Sequence, residues 1–152
     1  MKVSDAMKKQ PVVCLKSDTA QTAAALMKKH DIGPIPVVSD LVSRNLEGIV
    51  TDRDLCVRLV AENKAPETTQ VGALMTRNPI TCGQNDSLPQ CEQLMRENRI
   101  RRIPVVDKQG RCVGIVAQAD IVLHENSEAV RKMLSAISTL RDGMLIGPHA
   151  AA

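Results

Sequence analysis

The chain contains no phenylalanine, tyrosine or tryptophan. Its core must therefore be built from Val, Ile, Leu, Met and Ala, and no ring is available to stack on a base. That absence weighs against single-strand nucleic-acid binding, which relies on aromatic platforms. An excess of one charge is missing too. Lys and Arg number 20 against 17 Asp and Glu, a net charge of +3, too little for a broad phosphate-binding groove or a membrane surface. No apolar run approaches the roughly 18 residues of a membrane-spanning helix, and the opening MKVSDAMKKQ has no apolar leader. The cysteines are odd in number (Cys14, Cys56, Cys82, Cys91, Cys112) and form no C-x-x-C pair. They are expected to be reduced thiols packed as small apolar groups. Together these absences predict a cytoplasmic protein without membrane association. At 152 residues the chain can bury roughly 70% of its unfolded surface, so it needs no disulfide or metal to hold it together.

Signatures of catalysis are absent as well. His30, His124 and His149 are scattered, and no His/Cys/Asp cluster has metal-ligand spacing. There is no phosphate-binding loop, no G-x-G-x-x-G and no G-x-S-x-G elbow. Asp52 and Asp54 stand two residues apart where a helix begins, so they do not converge as an acid–base pair. The expectation is a protein with no enzymatic activity, no catalytic residues and no metal ligands.

What is present is a repeat. Sliding the chain by 68 positions aligns Val3, Met7, Pro11, Cys14, Asp18, Leu26, Met27, Ile32, Ile35, Pro36, Val37 and Val38 with Val71, Met75, Pro79, Cys82, Asp86, Leu94, Met95, Ile100, Ile103, Pro104, Val105 and Val106. That is far more identity than coincidence allows. Beyond Val38 the first copy is two residues longer and the offset becomes 66, which aligns Gly48-Ile49-Val50 with Gly114-Ile115-Val116 and Asp54 with Asp120. Each copy predicts the same elements. PVVCL or PITC reads as a strand after a proline boundary. Asp18 and Asp86 read as helix N-caps, with Gln21 completing a capping-box pattern in the first copy. Helical spacing follows at Ala23, Leu26, Met27 and His30, and at Cys91, Leu94, Met95 and Asn98. IPVV and LEGIV or CVGIV are then two strands joined by a turn, tight at Asp107–Gly110 and longer at Ser39–Asn45. A second helix starts near Asp52 or Gln118. Each unit is β-α-β-β-α, and one unit of this size is marginal alone, so two related by a pseudo-twofold axis would cover each other's open sheet face.

This grammar, with IPVVD followed by G-I-V-x-x-x-D, resembles the tandem cystathionine β-synthase (CBS) domain pair, or Bateman module, over roughly residues 1–126. The resemblance implies an α+β fold of two CBS repeats packed through their sheets, residues 1–66 and 67–126. A C-terminal helix and mobile tail, 127–152, would follow. It also implies a non-catalytic regulatory module that binds an adenosine-containing ligand in clefts between the repeats, forms a homodimer and signals to a separate effector protein. The family pattern G-h-x-[TS]-x-x-D falls on Gly48 to Asp54. By resemblance, Asp54 and Thr51 would contact the ribose, and Arg101 and Arg102, before the second IPVV, would reach from the opposite repeat to the phosphates. Carboxylates accept strongly from a diol, and arginine presents a fixed fork of donors to phosphate. Val13, Cys14, Ile32, Ile35 and Pro36 would wall the base.

The copies are not equivalent. Thr51 faces Ala117, and Gly33-Pro34 faces Arg101-Arg102. If the phosphate contacts come from the opposite repeat, as the resemblance implies, one cleft collects a hydroxyl, a carboxylate and two arginines, and the other, weaker cleft keeps Asp120. Two arginines favour AMP, ADP or ATP, with or without a divalent ion at the phosphates, over S-adenosylmethionine, which carries a sulfonium instead. Simpler readings coexist with this one. Asp54 can cap its helix or pair with Arg53 or Arg58, and Arg99, Arg101 and Arg102 can form a solvated basic turn. The clefts can be degenerate and the pair a ligand-independent interaction module, a reading fed by the apolar stripe Val130, Met133, Leu134, Ile137 and Leu140. A nucleic-acid module is the least favoured.

Overall fold

The structure is a computed structural model that describes residues 1–124 together with Glu128, Lys132, Leu134 and Ser135. Of the C-terminal stripe only Leu134 is among them; Val130, Met133, Ile137 and Leu140, like His149, lie outside the described residues.

Five consecutive apolar residues, Pro34–Val38, form strand β3, and all five are buried. Their counterparts Arg102–Val106 form β7. Strand β4 (Leu46–Thr51) pairs antiparallel with β3, and β8 (Cys112–Ala117) pairs with β7 in the equivalent register, down to a matching bulge at the last valine. Short parallel strands β2 (Cys14–Leu15) and β6 (Cys82–Gly83) flank β3 and β7. A parallel neighbour requires a crossover, which helices α2 (Ala20–His30) and α4 (Leu88–Asn98) provide. The alternation of the strands aims Ile35, Val37 and Val50 at Ala23 and Met27 of α2, forming one core. Ile103, Val105 and Val116 meet Cys91 and Met95 of α4 in the other. Both long helices end on a left-handed residue, Asp31 and Arg99. After β4, α3 (Asp52–Leu55) runs into a π-helical turn, Cys56–Val60; after β8 comes α5 (Gln118–Val122).

Two sequence expectations need correction. The N-caps are Thr19 and Ser87, not Asp18 and Asp86, and the capping box lies in the second copy between Ser87 and Gln90 rather than at Gln21. Each aspartate is spent one residue earlier: Asp18 Oδ2 accepts from the Leu15 amide at 2.8 Å and Asp86 Oδ2 from the Gly83 amide at 2.7 Å, closing the strand-to-helix turn. The strands expected over PVVCL and PITC shrink to two residues each, because the segments before Cys14 and Cys82 are crossings between the sheets.

Those crossings exchange the leading segments. Helix α1 (Val3–Ala6) and strand β1 (Lys8–Lys9) precede the first repeat, yet β1 pairs antiparallel with β8 and Val3 and Ala6 sit in the second core. Reciprocally, the 3-10 turn Val71–Ala73 and strand β5 (Thr76–Arg77) join the first repeat, with Val71, Leu74 and Met75 in its core. The sheets therefore run β2-β3-β4-β5 and β1-β8-β7-β6. The shared glycine of the GIV motif makes this fit. A Cβ on Gly48 would stand 2.6 Å from Met75 Sδ and 2.8 Å from the Thr76 carbonyl, and one on Gly114 would press on Met7.

The halves also meet at one joint. Asn45 and Arg111 form an isolated antiparallel bridge. Around it the Leu46 amide donates to the Gly110 carbonyl at 3.1 Å and the Cys112 amide to the Arg44 carbonyl at 2.8 Å. At the 66-residue offset, Asn45 is equivalent to Arg111, and the two hydrogen bonds are each other's mirror. The bridge thus lies on the pseudo-twofold axis.

Candidate functional site

The end of β4 and the start of α3 form a rigid junction. Thr51 is extended (φ −125°, ψ 162°) and caps α3. Its Oγ1 accepts from the Asp54 amide at 3.2 Å and donates to Asp54 Oδ2 at 2.9 Å, while its own amide donates to the same Oδ2 at 2.9 Å. One carboxylate oxygen of Asp54 is thereby consumed by the backbone turn. The other, Oδ1, lies 3.7 Å from Arg58 Nε. Arg58 is held in turn by a bond from its terminal nitrogen to the Leu74 carbonyl at 3.0 Å. The carboxylate side chain is 14% exposed, with one oxygen fixed by the turn and the other facing Arg58. The Asp52 amide donates to the Gly33 carbonyl at 3.1 Å and Pro34 pairs with Thr51, which sets Gly33-Pro34 against the junction.

The second copy repeats the geometry with fewer groups. The Ala117 amide donates to Asp120 Oδ2 at 2.7 Å, without a hydroxyl beside it. His124 occupies the place of Arg58, and its Nδ1 lies 2.8 Å from the Asp120 carbonyl oxygen rather than near the carboxylate. The Gln118 amide donates to the Arg101 carbonyl at 2.8 Å and Arg102 pairs with Ala117, so both arginines stand beside the second junction. Their side chains are exposed and form no ion pair among the described residues.

The structure therefore brings Thr51 and Asp54 together, with Arg58 as a third member that the Asp54–Arg58 spacing of four residues had marked as a pair. No hydrogen bond or ion pair among the described residues joins Arg101 or Arg102 to Thr51 or Asp54. The base wall needs revision. Cys14 and Ile35 are 1% and 0% exposed, sealed in the first core, because strand alternation turns both toward α2. Pro36 is buried as well, while Val13 and Ile32 keep accessible surface. Burial, and then the nearby Asp18 carboxylate, pushes the Cys14 thiol up to about 12, which leaves it a neutral packing group. Among the described residues no three His, Cys, Asp or Glu side chains are grouped to hold a metal ion, and no helix is long and apolar enough to cross a membrane.

Comparison with known proteins agrees with this architecture. The sequence profile of the CBS domain matches residues 3–61 and 71–126. The CBS domain-containing protein YhcV of Bacillus subtilis is 39% identical over 137 residues, covering 90% of this chain and 94% of its own. Among solved structures, CBSX2 of Arabidopsis thaliana in complex with AMP has a TM-score of 0.70 at 27% identity, covering 80% of this chain and 93% of that one. The CBS domain pair of protein MJ0100, in complex with 5'-methylthioadenosine and S-adenosyl-L-methionine, has a TM-score of 0.71 at 32% identity, covering 81% and 94%.

Proposed function

This chain belongs to the CBS-domain family, carrying two CBS repeats in tandem, and on that premise we propose that it is a non-catalytic sensor of an adenine nucleotide. Asp54, through Oδ1, and Thr51 would receive the ribose hydroxyls, and Arg101 and Arg102 would supply the phosphate charge from the other repeat. Val13 and Ile32 would flank the base. The observation that carries this reading is the asymmetric pair of junctions. Asp54 is pinned by two donors of Thr51 and backed by Arg58, whereas Asp120 has one amide. A pinned acceptor loses little freedom when a ligand arrives. Ligand across the repeats, 1–66 and 67–126, would then bias the state read by an effector protein, acting through its differential affinity for two states. We place the protein in the cytoplasm as a homodimer. The exposed Val57, Val60 and Leu123, on the π-helical turn and just past α5, offer the apolar surface for that contact.

The AMP complex of CBSX2 supports a phosphorylated ligand. A second reading, S-adenosylmethionine or methylthioadenosine, is favoured by the MJ0100 complex. Calorimetric titration with AMP, ADP, ATP and S-adenosylmethionine separates them. The expected result is binding of a phosphorylated nucleotide that Asp54→Asn weakens at least about tenfold, the loss of one charge-assisted hydrogen bond, with Arg101→Ala and Arg102→Ala weakening it further. Binding of S-adenosylmethionine unaffected by the arginine changes would establish the second reading. No heat from any of the four would favour a ligand-independent interaction module.

A further inference from the structure

We propose that the second repeat carries a separate binding site for a phosphorylated small molecule, in the cavity beside the pseudo-twofold joint. The cavity holds about 860 Å³ and is lined by the N-terminal segment, the Val42–Arg44 loop, Gln84 and the start of β8. Its size falls within the roughly 300–1,000 Å³ of small-molecule sites. Lys9, Arg44 and Arg111 face it and no carboxylate lines it. Arg44 spends one terminal nitrogen on the Pro11 carbonyl at 2.8 Å, and Arg111 spends Nε on Asp107 at 2.6 Å. The remaining guanidinium nitrogens of both have no hydrogen-bond partner among the described residues.

The pseudo-symmetry explains why this space is open and positive. At the equivalent corner of the first repeat, Lys16 and Glu47 form an ion pair at 3.3 Å. Their counterparts here are Gln84 and Val113. Both members of the pair are replaced, so the carboxylate that would neutralise the corner is gone and an apolar wall stands in its place. The cation equivalent to Arg77 remains, as Lys9. The loop before β4, two residues longer than its counterpart, adds Ser43 and Arg44 as a wall that the other side lacks. The result is two cations without an ion pair among the described residues, Lys9 and Arg44, beside the Asp107-paired Arg111, over an apolar floor formed by Met7 and Val113, which suits a phosphate group attached to an organic body.

This site is not the nucleotide cleft proposed above. Arg44 and Arg111 flank the first residues of β4 and β8, while the aspartate junctions lie at the far ends of those strands. Six residues at about 3.4 Å per step put roughly 17 Å between them. The two proposals therefore fail or survive separately.

Titration of the full chain with inorganic pyrophosphate at low salt, followed by amide NMR shifts, tests it. Saturable shifts at Lys9, Arg44 and Val113 are expected. Val113→Glu, which restores the carboxylate of the first repeat, and Lys9→Glu should each weaken that binding at least about tenfold while AMP affinity stays unchanged. Lys9 is exposed, so its variant decides the matter if Val113→Glu fails to fold. Absence of saturable binding, shifts confined to Thr51–Asp54 and Arg101–Arg102, or pyrophosphate binding unchanged in Lys9→Glu would each overturn the assignment.

Discussion

Thr51 does two things that Ala117 cannot. Its hydroxyl caps α3 and also fixes the Asp54 carboxylate by a second bond to Oδ2. Replacing Thr51 by alanine should cost about 0.5–2 kcal/mol, read as a lower urea midpoint. It should also weaken nucleotide binding, because Oδ2 would keep only the backbone amide and the carboxylate would be free to turn. Ala117→Thr tests the converse, since the backbone there already adopts the capping conformation (φ −106°, ψ 157°). A gain in stability without a gain in affinity would show that the second cleft lacks more than a hydroxyl. Arg58 illustrates how a structural and a functional reading coincide. Its i, i+4 pairing with Asp54 is legible from sequence, and the same contact faces the oxygen proposed to meet a ribose.

Among the elements, the exchanged segments carry unusual weight for their size. Val3 is fully buried in the core of the second repeat, a position worth about 1.5–3 kcal/mol for its side chain alone. Deleting residues 1–10 should therefore destabilise the distant half of the sequence, with loss of amide-exchange protection concentrated in β8 rather than in β4. Protection lost first in β4 would contradict the exchange. Little of this was legible. The repeat offset, the two long helices and the antiparallel strand pairs follow from identity and periodicity, and they stand where the sequence placed them. Strands β1 and β5 are two residues long, too short for any alternation to register, and their pairings, Lys8 with Ile115 and Thr76 with Ile49, join segments that no local rule connects. The N-caps were misread for a related reason. Asp18 and Thr19 are both capping residues, and the choice between them depends on whether the Leu15 amide needs an acceptor, which only the turn geometry decides. At the candidate site, Thr51 and Asp54 were legible as a motif, but Cys14 and Ile35 were assigned to a ligand wall that strand alternation places in the core. The pairing of Lys16 with Glu47 and its loss at Gln84 and Val113 became visible only once the joint was known.

For the whole molecule, two cores bound by exchanged arms should open as one. Four cysteines sample both halves: Cys14 in the first, and Cys82, Cys91 and Cys112 in the second, all buried, while Cys56 is exposed. Burial raises Cys14 to about 12 and Cys112 to about 11. Cys82 is raised as well, first by its hydrogen bond to the Cys91 thiol, 3.5 Å away, and then by burial. All three are protonated and unreactive near neutrality. A thiol reagent at pH 8 should label Cys56 alone in the native protein, and the other four at a common denaturant concentration. Earlier labelling of Cys14 than of the other three would mean that the repeats unfold independently.

The bridge between Asn45 and Arg111 has a consequence for how such a molecule can be built. A contact in which a residue meets its own equivalent is isologous, the kind that two identical subunits make across a dyad, and the traded arms are what a domain-swapped pair would trade. Each repeat therefore carries both faces of the joint and both the arm and the groove that receives it. A covalent join between the repeats is present once and so stands outside this symmetry. What it contributes is local concentration, making intramolecular an association that free halves would reach only by collision, and it releases each half to change its side chains without the other. Thr51 against Ala117, and Glu47 against Val113, are differences that a true homodimer could not hold.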